Sequence, residues 1–326
     1  MKRLTIIVPC YNEEAVLPSS LSQLTALLQQ LIDQQAVAPT SRLLFVDDGS
    51  RDQTWSLIAS AQLNNQLVTG LQFSRNFGHQ SALLAGLTVA SQDADIMITI
   101  DADLQDDIQA IPKMIALSTQ ADVIYGVRDS RKTDTWFKRW SATMFYSLMH
   151  GLGVEMVPNA ADFRLMSKRA VLALLDLPER NMFLRGMVPL VGFPTQKVFY
   201  DRKPRTAGET KYPLRKMIAF AVDGITSFST VPLRLIMNLG IFVVFIGVVL
   251  MIYSLIRKFT GQVVAGWSSL MVSMWVLGGV QLIALSVLGE YVSKVFKEVK
   301  RRPRFIIQTD TYSQQKPNET SNSTTA

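Results

Sequence analysis

The sequence has one cysteine and two histidines among 326 residues. A lone Cys10 excludes an intrachain disulfide framework and any cysteine-based zinc site. His79 and His150 do not support a histidine-ligated metal centre, and His79 and Cys10 are read as packing or local hydrogen-bonding residues. No Gly-x-Gly-x-x-Gly follows the first apolar run, and no Gly-x-x-x-x-Gly-Lys-Ser/Thr loop occurs, which argues against dehydrogenase and P-loop readings. Almost no long hydrophobic run precedes residue 230, whereas two follow it. Met1-Lys-Arg passes directly into Leu4-Thr-Ile-Ile-Val8, an apolar run too short for a signal peptide, so the N-terminal region is expected in the cytoplasm. The net charge is +7. Beside hydrophobic spans, a basic excess points to anionic lipid headgroups rather than nucleic acid.

The most informative stretch is Ile96-Met-Ile-Thr-Ile-Asp-Ala-Asp-Leu-Gln-Asp-Asp107. Ile96 to Ile100 reads as a buried strand that ends abruptly in carboxylates, so the strand must emerge at an edge or cleft. Two Asp one residue apart at a strand end can share a hard divalent cation with a phosphate-bearing ligand. The alternative is an acidic turn before a helix N-terminus, where Asp is favoured in any case.

Earlier strands are expected at Leu4–Val8, Leu43–Val46 and Val68–Phe73, with helices over Val16–Ile32, from Asp52 or Thr54 through Ala61, and over Ser81–Ala90. Short apolar strands alternating with helices predict an α/β domain with a mostly parallel sheet covered on both faces. Ligands bind outside the carboxyl ends of such strands. Pro9–Glu14, Asp47–Ser50, Ser74–Gly78 and Asp101–Gln105 would then line one rim. A further strand is expected at Asp122–Arg128, then a basic aromatic segment 131–140, a helix over 141–152, a turn at Asn159–Arg164 and a helix over Lys168–Leu175. Tyr200–Tyr212 reads as a cationic Gly/Pro loop.

Residues 213–232 read as amphipathic helices in the membrane interface. Two spans, about 235–256 and 267–288, are each long enough to cross a hydrocarbon core of roughly 30 Å. Cations flank the outer ends more heavily than the connector, giving a hairpin within 233–290 with both outer ends cytoplasmic. A juxtamembrane helix and short strand are expected over 291–309. The polar segment 310–326 reads as a disordered tail.

The chain resembles the inverting family-2 glycosyltransferases of GT-A (Rossmann-like) fold, and among them the polyprenyl-phosphate glycosyltransferases. The matching motifs are Val8-Pro-Cys-Tyr-Asn-Glu-Glu14, Val46-Asp-Asp-Gly-Ser50, Ser74-Arg-Asn-Phe-Gly78, Asp101-Ala-Asp-Leu-Gln-Asp-Asp107, Asp162-Phe-Arg-Leu-Met166 and Arg205-Thr-Ala-Gly-Glu-Thr-Lys-Tyr212. The two-span hairpin and the Gly289-Glu-Tyr291…Pro303 ending resemble the bacterial branch. The resemblance implies a UDP-sugar donor held by Pro9, Tyr11, Glu13, Asp47, Asp48, Asp101 and Ala102. It implies Mg²⁺ or Mn²⁺ held by Asp101, Asp103 and Gln105, and phosphates bound by Arg128, Arg139, Arg205 and Lys211. Asp103, Arg205 and Lys211 would serve catalysis, and Asp162 occupies the family's acid/base position.

Chemistry agrees with the charge placement, because an anionic lipid phosphate must approach an anionic sugar diphosphate. The acceptor's second pKa is ~6, so it is largely ionised at neutral pH without a base. Asp162 therefore stands equally as a residue that orients an acceptor, bonds a sugar hydroxyl or pairs with Arg164. The expected reaction is inverting transfer of one hexose, glucose before N-acetylglucosamine, from UDP to undecaprenyl phosphate. It would occur at the cytoplasmic face of a bacterial inner membrane, in a multi-pass protein and, by resemblance, a homo-oligomer such as a tetramer. A processive polysaccharide synthase is the enzymatic alternative, but no Gln stands at the required offset before Arg139-Trp140. A non-catalytic nucleotide-sugar sensor or scaffold is the alternative of another class.

Overall fold

In the computed structural model, residues 1–129, 157, 160–180, 183–201, 226, 229–260 and 266–315 are described. Two compact units are present: Met1–Tyr146, Glu155–Tyr212 and Arg302–Ala326 in the first, Ser147–Val154 and Pro213–Arg301 in the second.

The first unit is built on eight strands: β1 (Leu4–Cys10), β2 (Arg42–Asp47), β3 (Val68–Phe73), β4 (Ile96–Thr99), β5 (Val123–Arg128), β6 (Ala160–Ser167), β7 (Thr195–Tyr200) and β8 (Ile307–Asp310). Their order across the sheet is β7-β5-β6-β4-β1-β2-β3-β8. β4, β1, β2 and β3 form a parallel block, while β6 runs antiparallel to β4 and β5, and β8 antiparallel to β3. Every residue of β1 and β2 is buried, as expected of strands covered on both faces. At roughly 1.5–3 kcal/mol for each large apolar side chain, this block contributes much of the fold's stability.

The covering helices include α1 (Leu17–Asp33), α2 (Thr54–Asn64), α3 (His79–Ala90) and α4 (Ile111–Leu117), followed by α5 (Lys168–Leu175) and α6 (Leu184–Leu190). The small residues of α3 let it lie close on the central strands. A Cβ on Gly86 would come within 2.3 Å of Ile7 Cγ2.

The first four strands fall where the apolar runs place them. Asn159–Arg164, expected as a turn, proves otherwise: Ala160–Ser167 is a central strand. Asp162 and Arg164 break its apolar pattern, and because they pair with each other, both are buried there. β7 and α6 were not anticipated. β7 exposes Thr195, Gln196 and Lys197 at the sheet edge, and α6 contains Pro189.

The polar tail expected from 310 also needs correction, because β8 runs to Asp310 and Tyr312 is only 1% exposed. The Tyr312 hydroxyl reaches Thr5 Oγ1 at 2.9 Å and Asp93 Oδ1, and the Arg42 guanidinium lies over its ring at 5.3 Å. Composition hid one anchoring aromatic within a polar run. Residues 316–326 lie outside the described residues.

The second unit contains α7 (Val231–Phe259) and α8 (Trp267–Lys300). Both are long and apolar enough to cross a membrane, over Val231–Leu250 and Val276–Lys300, with their apolar windows unburied and Lys294 near the end of the second buried. The expected spans 235–256 and 267–288 lie within these helices. The segment expected as a juxtamembrane helix is the unbroken continuation of α8, with Lys297 and Lys300 in its last turn and Arg301 in the left-handed region as its cap. Within this unit the Tyr291 hydroxyl donates to the Ser229 carbonyl. The expected helix over 141–152 and nearly all of 213–228 lie outside the described residues.

Candidate active site

The strand directions bring the carboxyl ends of β1 to β4 to one rim. The amino end of β6 lies beside them, since Thr99 pairs with Arg164 and Thr99 Oγ1 donates to the Asp162 carbonyl. Rim loops are tied to one another by their own polar side chains. Asn12, at φ 54°, donates its N–H to Ser50 Oγ at 2.9 Å and accepts from Arg51 N–H at 2.9 Å. Glu13 N–H donates to Thr54 Oγ1 at 2.9 Å, and Glu14 Oε2 accepts from Gln53 N–H at 3.0 Å. The first two motifs are therefore one structure.

Asp48 ties in the third. Its Oδ1 accepts from Phe77 N–H at 2.6 Å and its Oδ2 from Gly78 N–H at 2.9 Å. Gly49, at φ +66°, permits this approach, because a Cβ there would sit 2.4 Å from the Arg75 carbonyl carbon. Asp47 is fully buried, with Oδ1 accepting from Ser50 N–H at 3.1 Å and Oδ2 without a hydrogen-bond partner. Burial raises the pKa of both carboxyls, and the bonds from Ser50, Phe77 and Gly78 oppose it.

Pro9, Cys10, Tyr11, Glu13, Asp48, Asn76, Gly78, His79, Ala82, Asp101, Ala102 and Asp103 line a cleft of about 280 Å³. Tyr11 is 43% exposed at its mouth, placed so that a planar ring can pack on it. Cys10 is buried, and burial first, with Glu13 and Asp47 adding, pushes its thiol well up, so it stays neutral. The packing role expected of Cys10 agrees with this.

Asp101 Oδ1 is sealed from solvent without a hydrogen-bond partner, although the side chain as a whole is 42% exposed to the cleft. Burial pushes its carboxyl up to about 6; His79 opposes the shift, and Asp162, Asp106 and Asp103 add to it. Asp103 Oδ1 accepts from Gln105 N–H at 3.2 Å, and Leu104 between them is held at φ 45°. That backbone costs an L-residue about 1–3 kcal/mol, a strain typical of sites built for a ligand. An orphaned carboxylate oxygen beside a second carboxylate is the donor chemistry a hard divalent cation uses. Among the described residues no cluster of three His, Cys, Asp or Glu side chains is arranged to hold a metal, so a cation here would draw further ligands from water or a bound phosphate. Gln105 is buried and does not line the cleft.

Asp106 and Arg128 do something else. Asp106 is 2% exposed and accepts from Arg128 Nη2 at 3.2 Å and from the Tyr200 hydroxyl at 2.6 Å, fastening the ends of β5 and β7. The structure thus commits Arg128, expected at a phosphate, to a carboxylate.

Asp162 is 5% exposed and clasped from three directions. Arg164 binds Oδ1, Arg185 reaches Oδ2 at 3.1 Å and Oδ1 at 3.3 Å, and His79 Nε2 lies 3.5 Å from Oδ2. Burial alone would raise its pKa; the bonds from His79, Arg164 and Arg185 overcome that and hold it far below the carboxylate range. A carboxylate so engaged is a poor proton acceptor and a good anchor. This geometry favours pairing with Arg164 among the roles open to it. His79 is drawn down by burial and up by Asp162 and Asp101, with a net rise.

His79 and Arg185 are the rim residues that sequence reasoning missed. The signal for His79 was its position directly after the Ser74–Gly78 motif. Arg185 had none, since its meeting with Asp162 depends on β6 and α6, neither of which was foreseen. Arg139, Arg205 and Lys211 lie outside the described residues.

With this geometry in view, the glycosyl transferase family 2 model matches residues 5–175. The chain is 51% identical over 313 residues to the uncharacterized glycosyltransferase YkoT of Bacillus subtilis, covering 96% of this chain and 93% of the relative. It is 40% identical over 309 residues to the SfII prophage-derived bactoprenol glucosyl transferase of Shigella flexneri, covering 94% and 97%. A glucosyl-3-phosphoglycerate synthase from Mycobacterium tuberculosis is a looser structural likeness, with TM-score 0.45, 15% identity, and 69% and 78% of the two chains covered. The matched residues span the rim loops, the Asp101–Asp103 pair and β6, and the full-length relatives extend through both apolar helices: the chain belongs to glycosyl transferase family 2.

Proposed function

We propose that this glycosyltransferase moves one hexose, glucose in the first instance, from a UDP-sugar to undecaprenyl phosphate. The anomeric centre inverts to a β-linked lipid-phospho-sugar for cell-envelope glycosylation. The observation that carries the reading is the likeness, along 94% of the chain, to an enzyme named bactoprenol glucosyl transferase. Because that likeness covers the sheet unit and the helix pair together, it supports a membrane lipid acceptor and not sugar transfer alone.

The rim is suited to this chemistry. Tyr11 offers a face for the uracil ring, and Glu13 with Asp47 and Asp48 supplies acceptors beside it for N–H and ribose hydroxyls. Asp101 and Asp103, with Gln105 behind them, would hold Mg²⁺ or Mn²⁺. When bound, the cation supplies charge neutralisation for the departing diphosphate. Arg205 and Lys211 are assigned to phosphates on their motif positions, and Arg139 on the family resemblance. An acceptor phosphate already ionised near neutral pH needs no strong base. The clasped state of Asp162 is compatible with that chemistry, in which the residue keeps Arg164, Arg185 and His79 in place. Cations at the outer flanks of α7 and α8 favour a two-span protein with the sheet unit on the cytoplasmic side of a bacterial inner membrane.

The test is transfer from a panel of radiolabelled UDP-sugars to undecaprenyl phosphate in detergent, with and without Mg²⁺ or Mn²⁺. One labelled lipid, formed only with metal, is the expected result and names the sugar. UDP binding with no lipid product from any donor would sink the transferase reading and leave a nucleotide-sugar sensor.

A further inference from the structure

The segment that follows α8 contributes nothing to the lining of the cleft, yet it is packed against the loop that forms one wall. β8 lies antiparallel along β3, and Ser74 N–H donates to the Ile306 carbonyl at 3.1 Å. Just before it, the Phe305 ring stacks on Phe73 at 5.5 Å with 2° between planes. Phe73 meets Phe77 edge to face at 5.7 Å and 88°. The Arg75 guanidinium lies over the Phe77 ring at 4.0 Å. Phe77 is the residue whose N–H Asp48 accepts, and its neighbours Asn76, Gly78 and His79 line the cleft.

We propose that Phe305 is a positioning residue for the donor end of the cleft. It acts through Phe73 and Phe77 on the loop that Asp48 holds, and so rests on the reading that this cleft takes a nucleotide sugar. The argument is geometric. Gly78 sits at φ +96°, a conformation that its neighbours must maintain. Asp48 fixes the loop's backbone, and the aromatic stack fixes the side chain from which that backbone hangs. Stacked and edge-to-face rings restrict one another's orientation, so uncovering one face of Phe73 lets Phe77 turn and the two N–H groups leave Asp48. Four residues, Arg301 to Arg304, separate Phe305 from the end of α8. Arg304 is itself held, donating from Nη2 to the Leu177 carbonyl at 2.6 Å. The chain leaving the apolar helix is therefore fastened to the donor loop and not to a neutral edge of the sheet.

The experiment uses the full chain in detergent and measures UDP binding with Mn²⁺ by calorimetry alongside transfer kinetics. Phe305→Ala is expected to weaken UDP binding about tenfold and to raise the sugar-nucleotide KM by a similar factor, with kcat nearly unchanged. Phe305→Tyr, which keeps the planar stack, is expected to restore both. Tyr312→Phe, on the same segment but remote from the loop, loses the bonds to Thr5 and Asp93. It is expected to lower the melting temperature and leave UDP affinity alone. Should Phe305→Ala fold poorly, Phe305→Leu carries the same test, with an intermediate loss of affinity. Wild-type affinity in the Ala or Leu variant would overturn the proposal, and so would an equal loss in Tyr312→Phe. Absence of any UDP binding by the wild-type chain would instead overturn the donor reading, and this proposal with it.

Discussion

At the amino-end rim of the sheet, acidic side chains have partners. Asp95 accepts from Arg3 N–H at 2.7 Å, Asp93 faces Arg3 and the Tyr312 hydroxyl, and Asp122 is held by Ser167 and Arg169. The carboxyl-end rim divides its acids into two kinds. Asp48, Asp106 and Asp162 are as thoroughly engaged as those opposite, and they brace the loops. Asp47 and Asp101 each keep a buried oxygen without a hydrogen-bond partner, that of Asp101 facing His79 Nε2 at 3.7 Å. The strained residues show a related division. Asn12 and Leu104 have positive φ at the functional rim, whereas Gln35 and Arg301 have it where helices end, an ordinary use of that conformation. One rim thus spends its polar groups on holding the fold together, while the other leaves two carboxylate oxygens without a hydrogen-bond partner, which the proposed function gives to a ligand.

This comparison can be broken most forcefully at Asp103 and Asp162. Asp103→Ala should lower transfer by at least about 100-fold, because it removes a carboxylate from the proposed cation site, while the loss of its bond from Gln105 N–H at 3.2 Å should shift the melting temperature only modestly. Asp162→Ala should do the reverse first. It leaves the buried Arg164 without its Asp162 carboxylate and costs about 3–5 kcal/mol of stability. A stable, inactive Asp162→Ala protein in thermal melts would contradict the anchoring role and revive that of a base.

Gly49→Ala should come next, costing about 1–3 kcal/mol by forcing a side chain at φ +66° against the Arg75 backbone. It should weaken UDP binding along with stability. An unchanged UDP isotherm would show that the two loops need not touch.

The smallest effect belongs to the amino-end rim. Arg169 and Ser167 hold the Asp122 carboxyl below its ordinary range. The stabilisation this gives is present at neutral pH and lost as pH falls below about 4, through the folded-state value. Asp122→Asn should therefore flatten the acid limb of melting curves taken from pH 7 to 3 and leave transfer unchanged.

How legible these regions were in the sequence follows from the same physics. β1, β2 and β4 are largely apolar runs buried along their whole length, and nothing competes with that signal. The rim motifs were legible as a group because strand direction alone gathers them. β6 was hidden because its charged residues satisfy each other across two positions and through α6, a compensation visible only in three dimensions. The engagement of Arg128 was hidden for a similar reason: a cation at a strand end looks free until Asp106 and Tyr200 are seen around it. His79 was set aside because a lone histidine has no partner in a one-dimensional reading. In the fold it stands between two carboxylates.

The most direct test of the two-kinds account is the rise in melting temperature that UDP and Mn²⁺ produce together. It would be measured for the wild-type chain, Asp101→Asn and Asp103→Ala. The account predicts a clear rise for the wild type, and unliganded melting temperatures for both variants near wild type, since Asp101 Oδ1 has no hydrogen-bond partner to lose and Asp103 loses one bond at 3.2 Å. It predicts little or no rise with UDP and Mn²⁺ in either variant. An undiminished rise in both variants would show that these carboxylates are not kept for a ligand.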